Sequence, residues 1–473
     1  MKRTTTFSLL AGFLFILTSG TIDLSNLDNY ANQAVPAYIT KDNTTNNPIT
    51  DEGATLGRVL FYDKKLSSNN TIACANCHVQ EFAFGDTSFV SQGVNGTTGR
   101  HSMRLINARF SEEMHFFWDE RANTLEEQST MPIQDHLEMG YSGTNGDPDL
   151  NQLLVKLDGL DYYDDLFYAA FGDTAITEAR IQQALAQFVR SIQSFDSKYD
   201  IGRAAANNDM LPFNNFTTNE NQGKFLFIAP PQIDANGVRV GGGAGCAACH
   251  RAPEFDIDPN MGHNGIIGSL LGGVELNNTK SPTLRDLVNP NNVPNGHFMH
   301  NSSFANLNGV VAHYDNISSF PNNPNIFQAM DPRLRPNGNA IVLNLTVLER
   351  QQIVAFLRTL TGTDVYTNPK WSDPFDANGD ITILGGITPT EEKLATFDLS
   401  IFPNPTTQFL NIVSEVDNYQ IEVFTISGKS VYTAISTQNT ERIDLSHLSN
   451  GIYFIKIQNM DDLTMAIHKI IKH

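Results

Sequence analysis

All four cysteines of this 473-residue chain fall in two copies of one pattern, Cys74-Ala-Asn-Cys77-His78 and Cys246-Ala-Ala-Cys249-His250. Two thiols at this spacing can each add across a vinyl group of one porphyrin, and the adjacent histidine then reaches the iron from one face. C-x-x-C-H is accordingly the attachment signature of c-type haem. The requirement is strict, because two thioether bonds and an axial imidazole must close on one rigid macrocycle. A single copy also fits half of a zinc site or a redox dithiol. Two copies with no cysteine left over point to two covalently bound haems, and leave none for a structural disulfide.

A chain of this length is expected to form two or three domains, each with its own core. The formal net charge of −20 argues against nucleic acid and against anionic membrane surfaces. It suits an exported protein and can steer a basic electron-transfer partner, although solubility alone explains it equally well. The start reads Met1-Lys2-Arg3, an apolar run from Phe7 to Leu17, then Thr18-Ser19-Gly20. A positive segment, a short apolar one and small residues predict a signal peptide over 1–20. The run is short for a membrane span, and no cysteine follows it to carry a lipid anchor. Export fits the chemistry, since c-type haem is attached outside the bacterial cytoplasm.

The predicted fold is mainly α: two cytochrome c-like haem domains followed by a small all-β sandwich. Residues 25–200 hold the first motif and helical patterns at Thr124–Gln128 and Thr177–Tyr199. Residues 201–385 hold the second motif between amphipathic segments at Asn219–Ile228 and Thr346–Leu360. Residues 386–396 read as a linker. From 397 to 473, short alternating runs such as Leu410–Val413, Gln420–Phe424 and Ile452–Ile457 are separated by turn signals, as in a sandwich.

Around the first motif stand Leu56-Gly-Arg-Val-Leu-Phe-Tyr-Asp63, Phe117-Trp118-Asp119-Glu120-Arg121-Ala122, Leu125-Glu-Glu-Gln128, Pro132-Ile133 and Leu137-Glu138-Met139-Gly140. The second half carries Lys280-Ser-Pro-Thr-Leu-Arg285, Phe298-Met-His-Asn301 and Leu345-Thr-Val-Leu-Glu349. This ordered set resembles the bacterial dihaem cytochrome c peroxidases and their MauG-like relatives, over about residues 50–365. The final block, through Ile401-Phe-Pro-Asn-Pro-Thr406, Ile426-Ser-Gly-Lys429, Ile443–Tyr453 and His468–Lys472, resembles the C-terminal sorting domain of type IX secretion substrates. That resemblance implies passage through the periplasm to the cell surface or beyond.

The peroxidase resemblance implies a peroxidatic N-terminal haem on His78 and an electron-relaying C-terminal haem on His250. It assigns the acid/base carboxylate to Glu138, a neighbouring amide to Gln128 and an interhaem indole to Trp118; Arg121 receives no role. Two departures stand out. Where many relatives place a histidine that blocks the peroxidatic iron, this chain has Val94, which cannot ligate iron. His101 takes the place of an asparagine at an interhaem calcium site, so one calcium ion is left open, and His101 is an alternative blocking ligand. At the distal face of the C-terminal haem, counting forward reaches Tyr314, as in MauG, with Met299, Met330 and His313 as alternatives. An oxygen donor there lowers the haem potential where a thioether raises it.

The implied activity is reduction of hydrogen peroxide to water with electrons from cytochrome c or a similar small donor. The alternatives are a MauG-like oxidase of a protein or organic substrate and a passive electron carrier. The expected partners are therefore peroxide, that donor and the type IX machinery, with no nucleic acid; a homodimer is left open.

Overall fold

The computed structural model describes residues 20–111, 115–256, 261–320, 322–385, 399–425, 429–460 and 465–473. The expected leader up to residue 19 and the expected linker 386–396 lie outside the described residues. The chain divides into two compact units, Met1–Gly386 and Ile387–His473. None of the described helices is long and apolar enough to cross a membrane.

The first unit is built twice around a crossing of two helices. Thr50 caps helix Asp51–Tyr62 by accepting from the Gly53 amide at 2.9 Å, and two acidic residues follow in its first turn. Its buried residues Leu56, Val59, Leu60 and Phe61 pack against Ala184, Leu185 and Phe188 of helix Glu178–Ser191 in one apolar core. The backbones approach so closely at Gly57 that a Cβ there would run into the Ala184 carbonyl. The second core repeats this device. Helices Thr218–Ile228 and Val347–Arg358 each begin with a capping box, Thr217 with Glu220 and Thr346 with Glu349. A Cβ on Gly223 would run into the Gln352 carbonyl, and Leu226, Phe227, Ile353, Phe356 and Leu357 fill the core. Each helix pair brackets one C-x-x-C-H segment in sequence.

Two sequence expectations need adjustment. The helical pattern at Thr177–Tyr199 is broken: one helix ends at Ser191 and the next begins at Lys198. Local hydroxyls compete for the backbone there, with Ser191 Oγ donating to the Phe188 carbonyl and Ser197 capping the second helix. The chain between also turns to meet Asn107, whose Oδ1 accepts from the Ser194 amide at 2.8 Å. In addition, the end of the second block returns to the first core. Val365, Tyr366 and Trp371 are buried within it, and Thr382–Leu384 pairs in parallel with Thr21–Asp23.

The second unit contains two antiparallel sheets among the described residues. One orders its strands Met465–Lys472, Gly451–Asn459, Tyr419–Thr425, Ser430–Ser436; the other runs Leu399–Phe402, Phe409–Ser414, Thr440–Asp444. Alternation sets the inner faces: Tyr453, Ile455 and Ile457 are buried while Ile452 and Phe454 are exposed. Leu410, Ile412, Ile421, Val423, Ile443 and Ile470 complete one apolar core with them.

The two crossings predict a matched pair of defects. Gly57→Ala and Gly223→Ala should each destabilise the first unit by about 1–3 kcal/mol or more, the usual range for forced overpacking. Denaturant melts check this; an unchanged midpoint in either variant would mean that the crossing relaxes freely.

Candidate functional site

Each C-x-x-C-H segment is a short turn that presents its cysteines and histidine together. Cys74–Cys77 forms a single helical turn closed by His78 N donating to the Cys74 carbonyl at 3.0 Å. Cys246–Ala248 forms a tighter turn, and His250 N donates to the Cys246 carbonyl at 2.9 Å. The two imidazoles are then oriented identically. His78 Nδ1 lies 3.2 Å from the Phe84 carbonyl, and His250 Nδ1 lies 3.2 Å from the Phe255 carbonyl. A carbonyl only accepts, so Nδ1 carries the proton and the Nε2 lone pair is left for a metal. Both phenylalanines sit at positive φ, +56° in each case, in turns that swing their carbonyls back to the histidine. Burial keeps both rings neutral, pulling His250 down to about 4 and His78 in the same direction. Burial also pushes the Cys74 and Cys246 thiols up to about 12, which disfavours free thiolates. The donor set fits two covalently held haems.

Cys74, Cys77 and His78 line a cavity of about 390 Å³ together with Trp118, Gln128 and Glu138. Gln128 comes from helix Leu125–Thr130, capped by Thr124 Oγ1 on the Glu127 amide at 3.0 Å. Glu138 is set by a turn in which Asp135 Oδ1 accepts from the amides of Leu137 and Glu138 at 2.8 and 3.1 Å. Gly140, at φ +75°, closes that turn with its amide on the Asp135 carbonyl at 2.8 Å. A second loop clamps it: Val94 N donates to the Glu138 carbonyl at 2.9 Å, and a Cβ on Gly93 would run into Leu137 and Glu138. Burial pushes Glu138 up to about 7; the charge of Asp135 adds to the rise and that of Arg121 opposes it.

Val94 is not among the lining residues, and its Cγ2 is turned against Gly140. His101 is buried, lines both this cavity and a second one, and has a Nδ1 without a hydrogen-bond partner. Burial and the charge of Arg104 bring it down to about 4. Calcium finds little support here. A neutral imidazole is a poor ligand for a hard cation, and no group of three or more His, Cys, Asp or Glu among the described residues could hold a metal ion.

The second cavity, about 130 Å³, is lined by Cys246, His250, Asn264, Met299 and Tyr314. Asn264 Nδ2 donates to the Tyr314 hydroxyl at 3.0 Å and lies 3.4 Å from Met299 Sδ. Tyr314 and Met299 thus reach the same space, whereas Met330 and His313 are not among its lining residues. His313 is engaged instead with the Asn264 carbonyl, at 2.9 Å from its Nε2. Cys249 follows Cys246 in the same turn but is likewise absent from the lining.

Trp118 lines both cavities. Its Nε1 donates to the His101 carbonyl at 2.7 Å, and its own carbonyl accepts from Thr279 and Lys280 at 3.0 and 3.1 Å. The indole is thereby tied to both halves of the unit. Sequence reading gave no role to Arg121, yet it lines the first cavity. Its guanidinium stacks 3.5 Å from the Phe117 ring centroid and its charge acts on Glu138. Asp135 and Arg104 were also missed. Asp135, three positions before Glu138, was legible as a turn former; nothing local marked Arg104.

Comparison with known proteins agrees with this geometry. Residues 51–208 match the family described as di-haem cytochrome c peroxidase, and residues 400–473 match the secretion system C-terminal sorting domain. The methylamine utilization protein MauG of Methylophilus methylotrophus is 29% identical over 67% of this chain and 84% of its own length. The cytochrome-c peroxidase IdrP1 of Denitromonas iodatirespirans is 23% identical over 68% of this chain and 86% of its own. A solved structure described as a MauG-like protein associated with microbial copper homeostasis aligns with a TM-score of 0.54 and 27% identity. It covers 72% of this chain and 99% of that one. The chain thus carries a di-haem cytochrome c peroxidase/MauG domain and, toward its end, a secretion system C-terminal sorting domain.

Proposed function

We propose that this protein is an exported peroxidase that reduces hydrogen peroxide to water with electrons from cytochrome c or a similar small donor. The observation that carries the reading is that Glu138 and Gln128 line the same cavity as Cys74, Cys77 and His78. Haems held at His78 and His250 would supply, respectively, an iron for O–O cleavage and a store for the second electron. Overall, peroxide takes two electrons and two protons and leaves as two waters.

Glu138 takes the proton from one peroxide oxygen and returns it to the departing one. A carboxyl titrating near 7 is suited to both halves of that transfer at neutral pH. Arg121 keeps it from rising further, the Gln128 amide orients peroxide, and Trp118 bridges the two haem sites.

The finer organisation follows the same reading. Two cytochrome c-like domains, 25–200 and 201–385, are supported by the two helix crossings and two cores, with Val365, Tyr366 and Trp371 of the second block packing back into the first core. A sandwich spans 397–473, supported by two sheets around one core, and its sorting motifs address the chain to type IX machinery after removal of a signal peptide over 1–20. Homodimerisation belongs to the same set of proposals, and light scattering decides it.

A second reading, a MauG-like oxidase of a protein or organic substrate, draws on Tyr314. Its hydroxyl reaches the cavity of His250, with Met299 beside it. Tyr314 as the distal ligand would lower the potential of that haem.

Five outcomes test these readings. The as-isolated, fully oxidised protein should oxidise reduced cytochrome c on addition of peroxide without pre-reduction, because Val94 leaves the iron open. Turnover only after reductive activation would point to a blocking ligand, with His101 the first suspect. Because Glu138 must start as the carboxylate, turnover should rise with pH through about 7 and then level. Glu138→Gln should remove that limb and lower kcat by about 10²–10⁴ with both haems still attached; wild-type turnover in this variant removes Glu138 from the mechanism. Tyr314→Met should raise the potential of the C-terminal haem, and an unmoved potential and spectrum would discard Tyr314 as ligand. Finally, deletion of 397–473 should hold active dihaem protein in the periplasm, and undiminished surface delivery would rule out the sorting role.

A further inference from the structure

Arg104 lines both cavities, and its position is prepared by the fold. Its stem crosses Gly85, where a Cβ would stand 2.9 Å from Arg104 Cγ and 3.1 Å from the Asn295 carbonyl. Gly85 adjoins Phe84, whose carbonyl orients His78, so the side chain is seated on the turn that serves the first haem site. Toward the second cavity stand His101 and His297, with ring centroids 6.2 Å apart.

The seat is polar and incompletely paired. Arg104 Nε, His101 Nδ1 and His297 Nδ1 are all buried without a hydrogen-bond partner. Arg104 has no ion-pair partner among the described residues. Asp286 and the Tyr366 hydroxyl act on it only at a distance; Asp286 Oδ1 accepts from the Gly362 amide at 2.8 Å and from Tyr366 at 3.0 Å, while its Oδ2 has no hydrogen-bond partner. The residue is half-buried, and a cation partly withdrawn from water without a close counter-charge is destabilising. Shedding its proton is no escape, since burial lowers the guanidinium only to about 10. Because Arg104 lines both cavities, an anionic group held in either one would stand within reach of its guanidinium.

We propose that Arg104 is a shared anchor for haem propionates, pairing with a carboxylate from each of the two haems and holding both reduction potentials up. The inference rests on the dihaem reading. Covalent attachment through four cysteines fixes which groups occupy these cavities, and propionates are the anionic part of those groups. A guanidinium suits the task because its planar fork can hold two carboxylate partners at once. Reduction makes an iron centre less positive, so a nearby cation favours the reduced form. Removing the cation leaves propionate charge uncompensated and favours the oxidised form.

The experiment is spectroelectrochemical titration of the full-length holoprotein and its Arg104→Gln and Arg104→Lys variants, with haem per chain measured by the pyridine haemochrome method. In the Gln variant the equilibrium constant for reduction should fall about tenfold at each haem, which is about 59 mV for one electron. The Lys variant keeps the charge and should retain both potentials, while the propionate-bending bands in its resonance Raman spectrum shift as the fork is lost. Two haems per chain with unmoved potentials in the Gln variant overturns the anchor, and a shift at one haem only overturns its sharing. If the Gln variant does not accumulate, the Lys variant decides, and propionate bands identical to wild type overturn the proposal. Wild-type potentials that respond saturably to added chloride or phosphate would assign the cation to a free anion instead. Fewer than two haems per wild-type chain would be a failure of the dihaem reading itself.

Discussion

A neutral imidazole that gives its Nδ1 proton to a backbone carbonyl has one lone pair left, on Nε2, and one direction in which to offer it. Both halves of the first unit are organised around that constraint. The carbonyls of Phe84 and Phe255 can reach His78 and His250 only because each residue accepts a left-handed backbone at φ +56°. Phenylalanine does not favour that conformation. Burial of both side chains offsets the strain. The glycine-mediated helix crossings supply the stiff frame on which this is mounted, at Gly57 for the first site and Gly223 for the second.

Between the two sites the fold concentrates the groups that govern charge. Trp118 is pinned by the His101 carbonyl on one side and by Thr279 and Lys280 on the other, so both halves set its position. Electrons passing between the sites would cross a region with a fixed aromatic ring and a desolvated cation, Arg104. Glu138 is placed differently, on a hydrogen-bonded turn between Asp135 and Gly140 with Val94 N clamping its carbonyl. Glu138 thus sits on loops braced by backbone hydrogen bonds, whereas Trp118 and Arg104 are half-buried residues that line both cavities.

How much of this was legible in the sequence depends on the range of the interactions involved. The C-x-x-C-H turns, the capped helices at Thr217 and Thr346 and the alternating strands at 420–424 and 452–457 are decided within a few residues, and they stand close to where pattern reading puts them. The helix expected across 177–199 failed because its interruption is set by Asn107, far away in sequence. The distal ligand shows the same boundary. Counting along the chain reaches Tyr314 and leaves Met299, Met330 and His313 as alternatives, and only the folded chain separates the two that line the cavity from the two that do not. Arg104 was invisible for a further reason. Arginine is ordinarily a surface residue, and what distinguishes this one is the absence of a partner, a property that exists only once everything around it is placed.

That absence also bears on how the protein must assemble. Arg104, His101 and His297 leave unpaired nitrogens at the junction of the two halves, and each such group is destabilising until it is paired. Pairing those nitrogens would strengthen the junction between the two halves. Covalent attachment at Cys74 and Cys77 and at Cys246 and Cys249 brings the missing carboxylates in as part of the cofactor. Attachment and completion of the junction then become one event. The sorting domain, with its own core and its own hydrogen-bonded sheets, contains none of these groups. Its folding depends on the alternation of its strands, so the address at the end of the chain can form whether or not haem has been attached.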